Sequence, residues 1–192
     1  MPLIRETIVT TCDAHGRVHV APLGLIADGA SWIIAPFRPS TTLENLRAVP
    51  YAVANATDDV RLFAGPLTGR RDWPTVPAHE VPVPRLAAAL AHTELAVSAV
   101  TEDEQRPRFC CRVVARRAHA PFEGFNRAQA AVVEAAILVS RLALLSRAHV
   151  EAELARLAII VEKTAGDVER EAWDWLVARV RSEEAPSTAP RR

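Results

Sequence analysis

Short alternations of apolar and polar residues fill the first half of the chain and predict a series of β-strands. β-Branched residues are frequent in these runs, and turn signals such as DAHG (13–16) and ADGA (27–30) separate them. Short strands at this close spacing indicate a β-sandwich or a β-barrel. The predicted strands are ETIVTTC (6–12), RVHVAPLGLI (17–26), SWIIAPF (31–37), YAVANAT (51–57), VRLFA (60–64), HEVPVP (79–84), LAVSAVTEDEQ (95–105) and RFCCRVVARR (108–117).

Two segments of the first half do not fit the strand pattern. LTGRRDWPTVP (67–77) is rich in proline and arginine and predicts a loop, whereas PRLAAALAHT (84–93) predicts a short helix that starts at a proline.

The second half of the chain changes to the periodicity of amphipathic helices. Residues 125–145 are rich in alanine and place Val133, Ile137 and Leu144 on one stripe, and TAGD (164–167) separates two further helices. We therefore predict a β-rich domain over residues 1–120, a three-helix subdomain over 121–182 and a disordered tail over 183–192. The apolar stripes of the last two helices are Val150, Leu154, Leu157, Ala158 and Val161, and Val168, Ala172, Trp175, Leu176 and Val180.

Composition and charge exclude several classes of protein. Of the 192 residues, 23 are basic and 23 acidic, and this balance argues against a nucleic-acid or anionic-membrane surface. Three cysteines without a C-x-x-C pair argue against a disulfide framework and a zinc site. No segment has the apolar length of a signal peptide core or a membrane span. We therefore expect a cytoplasmic, soluble protein.

The segment that follows the third predicted strand, RPSTTLENL (38–46), combines one cation with three hydroxyls. Ser40 or Thr41 is a candidate helix N-cap, and Glu44 lies three residues after Thr41, as in a capping box. The N-terminus of a helix also binds phosphate through free N–H groups and its dipole. A helix cap does not require a cation such as Arg38, whereas a guanidinium can hold phosphate oxygens in bidentate fashion. Both interpretations stay open on these residues alone.

The segment VAPLG (20–24) holds the second candidate. A proline inside a strand lacks a ladder donor, so Pro22 predicts a strand edge, a bulge or the wall of a ligand site. Gly24 permits the close approach of a flat body to the backbone. A bulged strand without a ligand is the alternative.

Taken together, these segments resemble the FMN-binding split β-barrels of the flavin-reductase and flavoredoxin type. IVTTCDAHGRVHVAPLG (8–24) matches their opening strands, and RPSTTLENL before YAVANAT matches their phosphate loop and the strand behind it. The later segments RFCCRVV (108–114) and 125–142 are similar to an uncharacterised family that joins such a barrel to a C-terminal helical domain. That family occurs in methanogens and in bacteria that use tetrahydromethanopterin.

This resemblance implies an α+β fold, FMN as the cofactor, and a homodimer with one FMN near each end of the subunit interface. Carried over by position, the FMN phosphate would be held by Arg38, Ser40, Thr41 and Thr42, and Asn45 would brace their loop. His19 departs from the family pattern, which often has Asn there, and one of Thr10 and Thr11 would face the ring. The isoalloxazine would be lined by Ala21, Pro22, Leu23 and Gly24.

Other polar residues carry weaker hypotheses. Asn126 is a candidate N-cap, and Arg127, Glu134 and Arg141 share a helix face, either as a buried ladder or as a ligand-facing cluster. The histidines lack metal-ligand spacing and are interpreted as surface or turn residues. One of the adjacent Cys110 and Cys111 is expected to be a buried, inert thiol.

Three functions remain open at this point. The first is an FMN-dependent oxidoreductase acting on a small molecule, with a link to tetrahydromethanopterin one-carbon metabolism that rests on the family resemblance. The second is a flavin or pterin carrier or regulator without turnover. The third is an interaction module in which the cluster at 38–46 is only a helix cap.

Overall fold

Six antiparallel strands form a closed β-barrel, which confirms the predicted α+β class and the barrel followed by helices. A computed structural model of the chain describes residues 2–183. The barrel strands are β1 (Ile4–Cys12), β2 (Val18–Asp28), β3 (Ser31–Ile34), β4 (Tyr51–Ala56), β7 (Ala91–Thr101) and β8 (Arg108–Ala118), and β5 (Thr75–Val76) pairs with β6 (Arg85–Leu86) outside the barrel. Around the barrel the order is β1–β2–β3–β8–β7–β4, and the pairing of β1 with β4 closes it.

The barrel interior is filled by apolar side chains from alternate strand positions. Val9, Leu95 and Phe109 are among these buried residues. The helix α1 (Thr41–Ala48) connects β3 to β4 and adds Leu43 and Leu46 to the same core. The sequence that carries the candidate phosphate loop is thereby anchored on the barrel through its own apolar residues.

Buried polar side chains hold the segment between β5 and β7 against the outer face of the barrel. Thr10 donates to the carbonyl oxygen of Pro84 at 2.6 Å. Asn55 donates to the carbonyl of Ile8 at 2.9 Å and accepts from the backbone N–H of Leu86 at 2.8 Å. The helix predicted for 84–93 is therefore wrong, because these contacts and the pairing of Ala91 with β4 override the helix propensity of its alanines. HEVPVP is not a strand either, since its two prolines lack ladder donors.

The helices form a second compact unit, made of Asp59–Arg70 and the chain from Gly124 onward. It contains α2 (Arg61–Ala64), a short 3₁₀-helix (Pro66–Thr68), α3 (Arg127–Val139), α4 (Arg147–Thr164) and α5 (Asp167–Ser182). The strand predicted for VRLFA is thus wrong. Asp59 accepts from the backbone N–H of Arg61 at 3.1 Å and so favours a helix start, and Leu62 and Phe63 are buried. The predicted tail lies, apart from Glu183, outside the described residues.

The helix faces agree with the sequence pattern in α4 and α5 but not in α3. Val150, Leu157 and Val161 are buried in α4, and Ala172, Leu176 and Val180 in α5. In α3 the buried face consists mainly of small residues, and the helix ends before Leu144, which is exposed. None of the helices within residues 2–183 has the length and apolar character that a membrane crossing requires.

We expect Asn55→Ala to lower the free energy of unfolding by about 2–4 kcal/mol, because it removes several buried hydrogen bonds and leaves the N–H of Leu86 unpaired. Urea unfolding at neutral pH measures this change. Thr101→Ala, at an exposed strand end, serves as the control and should change stability by no more than about 0.5 kcal/mol. Equal stability of the two variants would show that Asn55 does not anchor the outer segment.

Candidate functional site

The N-terminus of α1 is capped by Ser40, whose backbone is extended and whose Oγ accepts from the N–H of Leu43 at 3.3 Å. The capping box that starts at Thr41 does not form, because Leu43 rather than Glu44 is the third helical residue. Ser40 therefore satisfies one orphan amide and leaves the others at the start of α1.

Thr41 and Thr42 occupy the first two positions of α1. Thr41 is exposed and Thr42 is buried. Within residues 2–183, neither hydroxyl nor either backbone N–H of this pair has a hydrogen-bond partner. The helix thus begins with unpaired donors beside the positive end of its dipole, which is the arrangement that favours an anion.

Arg38 lies next to this helix end but is held by the β7–β8 turn. Its Nε donates to the carbonyl oxygen of Asp103 at 3.0 Å, and its guanidinium forms an ion pair with Glu102. Glu102 also accepts from Arg47 at 2.9 Å through both carboxylate oxygens. A phosphate that binds Arg38 must therefore compete with Glu102.

Asn45 links α1 to strand β1 from within the protein. It is buried, and its Nδ2 donates to Oγ1 of Thr11 on β1 at 3.0 Å. Thr11 is directly opposite His19 on β2. Thr10 points to the other face of β1 and is bonded to Pro84, so its hydroxyl is already used.

The four residues predicted to line a flat ring lie in the middle of β2, opposite β1, without a register shift at Pro22. Leu23 packs against the barrel core, and its carbonyl oxygen accepts from Thr7 at 3.0 Å. Alternation therefore places Ala21 on the inner face with Leu23, and Pro22 and Gly24 on the outer face.

The packing around Gly24 leaves no room for a side chain, for a reason that the sequence did not indicate. A Cβ at this position would lie 2.8 Å from Cγ2 of Ile4 and 3.2 Å from Oε1 of Glu6. The close approach that needs glycine is thus made by side chains of β1.

Helix α1 contacts both β1 and β2, so the fold brings the two sequence-predicted segments to one side of the barrel. A cavity of about 660 Å³ lies near these two segments and is lined by the β1–β2 turn and by residues 75–84. It includes none of the predicted site residues. His19 is half-buried, and burial followed by the charge of Arg71 lowers its pKa.

A buried cluster around Glu94 lies outside the sequence predictions. Its carboxylate accepts from the backbone N–H groups of His79 at 2.9 Å, Glu80 at 2.7 Å and Val81 at 2.9 Å, and from Nε2 of His92 at 3.0 Å. Burial raises the pKa of Glu94, but these hydrogen bonds outweigh it and the pKa is lowered overall. Glu94 is therefore a carboxylate that pins the outer segment to the barrel.

His92 continues the cluster to the surface. Its Nδ1 lies 2.8 Å from Nε2 of His119, and the two rings are coplanar within 1° with centroids 5.0 Å apart. This geometry is an edge-to-edge hydrogen bond. In the neutral tautomer of His92 whose Nε2–H donates to the carboxylate, Nδ1 accepts from Nε2–H of His119. The alternation along β7 signals that His92 and Glu94 share a face, but no sequence feature indicates that His119 joins them.

The structure also tests the remaining hypotheses about Asn126, the Arg–Glu–Arg ladder and the cysteines. Asn126 is the N-cap of α3 and accepts from the N–H of Ala128 at 2.7 Å. The buried ladder is wrong, because Arg127, Glu134 and Arg141 are all exposed. Cys111 is buried, and burial raises the pKa of its thiol to about 12.

Comparison with known families gives matches over most of the chain. The family model for a protein of unknown function (DUF447), N-terminal domain, matches residues 5–120, and a second model described as protein of unknown function (DUF447) matches residues 126–178. No curated protein sequence matches the chain.

Solved structures share the fold. The FMN-bound protein MM1853 from Methanosarcina mazei is 20% identical, covers 93% of this chain and 96% of its own, and superimposes with a TM-score of 0.81. The 2-nitrobenzoate 2-nitroreductase NbaA from Pseudomonas fluorescens is 20% identical over 62% of this chain and 66% of its own, with a TM-score of 0.52. Flavoredoxin from Methanosarcina acetivorans is 13% identical over 62% and 69%, with a TM-score of 0.50. These similarities show the fold.

The Glu94 cluster predicts a loss of stability in acid. The lowered pKa of Glu94 stabilises the fold above the ordinary carboxyl value, and this contribution disappears as the pH falls through the folded pKa. Loss of hydration, followed by the charges of Arg85, His92 and His79, lowers the pKa of His119. As the pH falls, the unfolded chain therefore protonates this histidine at a higher pH than the folded protein does. Stability therefore begins to fall below about pH 6.5 through His119, and Glu94 adds to the fall only below the ordinary carboxyl range, about pH 4.3.

Urea unfolding between about pH 7.5 and pH 3 tests this, with Glu94→Gln and His119→Gln as variants. We expect Glu94→Gln to lose about 2–4 kcal/mol at neutral pH, because an amide cannot accept all of the carboxylate's bonds. We expect His119→Gln to remove part of the decrease that begins near pH 6.5. An identical pH profile in wild type and both variants would contradict this account.

Proposed function

We propose that this chain, which belongs to the DUF447 family, binds FMN and acts as a flavin-dependent oxidoreductase on a small molecule. The observation that carries the proposal is the N-terminus of α1, where unpaired amides and hydroxyls of Thr41 and Thr42 adjoin Arg38. The similarity in fold to an FMN-bound protein over nearly the whole chain supports it. The fold by itself does not specify the activity.

In this proposal the FMN phosphate lies at the start of α1. The N–H groups and hydroxyls of Thr41 and Thr42 donate to its oxygens, together with the hydroxyl of Ser40 and the guanidinium of Arg38. Asn45 does not touch the phosphate but fixes the helix through Thr11. The helix dipole and a charge-assisted bond act on the same anion, and this combination exceeds the need of a helix cap.

The isoalloxazine ring lies along β2, from Ala21 to Gly24. Because Leu23 faces the barrel core, Leu23 and Ala21 contact the isoalloxazine through their backbone atoms. Pro22 contacts it with its pyrrolidine ring on the outer face. Pro22 also lacks an N–H, so this stretch offers the ring an apolar edge. Of the predicted residues, Gly24 contributes least, because side chains of Ile4 and Glu6 lie over it.

Flavin supplies hydride or single-electron transfer when bound, and the chain supplies binding, orientation and the exclusion of water. The family resemblance favours a homodimer in which the partner subunit covers the ring, and tetrahydromethanopterin one-carbon metabolism as the setting. Light scattering after size-exclusion chromatography tests the dimer. The alternative function is a flavin or pterin carrier or regulator that uses the same site without turnover.

Fluorescence titration with FMN tests the phosphate site. We expect Arg38→Ala combined with Thr42→Ala to weaken FMN binding by about 30-fold or more, because each charge-assisted or hydroxyl bond contributes on the order of 1 kcal/mol or more. The control is Arg112→Ala, which removes an exposed arginine on β8 that is not one of the residues assigned to FMN. We expect this control to bind FMN as the wild type does.

Glu102→Gln gives the opposite change. It frees Arg38 from its ion pair, so we expect FMN to bind severalfold more tightly, at low salt more than at high salt. If the double variant kept full affinity, the phosphate assignment would be wrong. If Glu102→Gln weakened binding, Glu102 would orient Arg38 and not compete with the phosphate.

Anaerobic reduction distinguishes the oxidoreductase from the carrier. We expect the FMN-loaded protein to lose its absorbance near the flavin maximum when NADH or NADPH is added, and to regain it in air. Free FMN at the same concentration is the control. A protein that binds FMN but is reduced no faster than free FMN would favour the carrier.

A further inference from the structure

One end of the barrel interior is hollow. A cavity of about 290 Å³ opens where β1 begins and β4 ends. Its wall is mainly apolar and includes Leu25, Trp32, Ala54, Ala56 and Ala91. We call this space the barrel-end cavity. Its volume is just below the range of about 300–1,000 Å³ that is typical of drug-sized ligands, so it suits a smaller molecule.

The cavity exists because small residues occupy inward positions at this end. Ala56 is directly opposite Ala91, and Ala54 is opposite Thr93. Farther along the same strands the inward position is filled by Leu95, and Phe109 fills it from β8. In a six-stranded barrel such side chains normally fill the interior, so three alanines on neighbouring strands leave room for a ligand.

The rim of the barrel-end cavity is positively charged. Arg5 on β1 and Arg116 on β8 both line it, and no Asp or Glu side chain from residues 2–183 does so. Among the described residues, neither guanidinium has a carboxylate partner, in contrast to Arg38 and Arg47, which are both paired with Glu102. The hydroxyl of Thr93 has no hydrogen-bond partner within residues 2–183 either.

We propose that the barrel-end cavity binds a small aromatic carboxylate. The flat apolar body enters between Trp32 and the alanines, and the carboxylate stays at the rim between Arg5 and Arg116, where charge-assisted hydrogen bonds hold it. Thr93 adds a hydroxyl donor. A fully hydrated anion such as inorganic phosphate fits less well, because it leaves the apolar wall uncovered.

The barrel-end cavity is separate from the proposed flavin site. None of the residues assigned to FMN lines it. The proposal therefore does not depend on the flavin function, and FMN at saturation should not displace the carboxylate.

Isothermal titration calorimetry with benzoate tests the proposal. Benzamide serves as a neutral probe of similar shape, and inorganic phosphate as an anion without an apolar body. We expect benzoate to bind at least about tenfold more tightly than benzamide or phosphate, because only benzoate meets both the guanidinium groups and the apolar wall. Arg5→Gln and Arg116→Gln should each weaken benzoate about tenfold or more and leave benzamide unchanged.

Two further variants separate binding from folding. Ala91→Leu fills the cavity and should weaken benzoate and benzamide alike, whereas Arg112→Gln, at an exposed position of the same strand as Arg116, should change neither. A urea unfolding midpoint equal to that of the wild type shows that a variant is folded. Equal affinity for benzoate and benzamide, tighter binding of phosphate, or unchanged benzoate affinity in both arginine variants would overturn the proposal. The FMN affinity of Arg116→Gln should equal that of the wild type, so that failure here and failure of the flavin proposal are distinguishable.

Discussion

The pairing of β1 with β4 is the constraint on which the rest of the barrel depends. It joins the first strand to the fourth and so turns an open sheet into a closed barrel without edges. Asn55 lies opposite Ile8 at one end of this contact, and its side chain donates to the carbonyl oxygen of Ile8. Closure thus fixes the same side chain that holds the outer segment through Leu86.

Closure also determines where α1 can lie. The chain must cross from β3 to β4, and the crossing helix packs Leu43 and Leu46 into the barrel core. Its polar residues then have little freedom, since Asn45 is bonded to Thr11 and Ser40 caps the helix. The unpaired donors at the start of α1 are therefore held in place by the core. Such preorganisation reduces the cost of binding an anion there.

Most barrel strands were predictable because period-two alternation and turn residues act locally. The two failures have different causes. The alanines of 84–93 are helical by propensity but are held by the distant Asn55 and by β4, whereas VRLFA is a helix that follows a local bond from the N–H of Arg61 to Asp59. The candidate phosphate segment was suggested by residue type and order. Its ion pair with Glu102, and the cluster of Glu94 with two histidines, join residues far apart in sequence and leave no local signal.

The central claim is that the start of α1 holds FMN, and visible absorbance of the purified protein tests it most directly. The protein is mixed with excess FMN, desalted and measured for flavin and for protein. The account predicts flavin bands retained at about one FMN per chain, as expected for a preformed phosphate site. A protein that stays colourless after desalting would contradict it, and the cluster at 38–46 would then be only a helix cap.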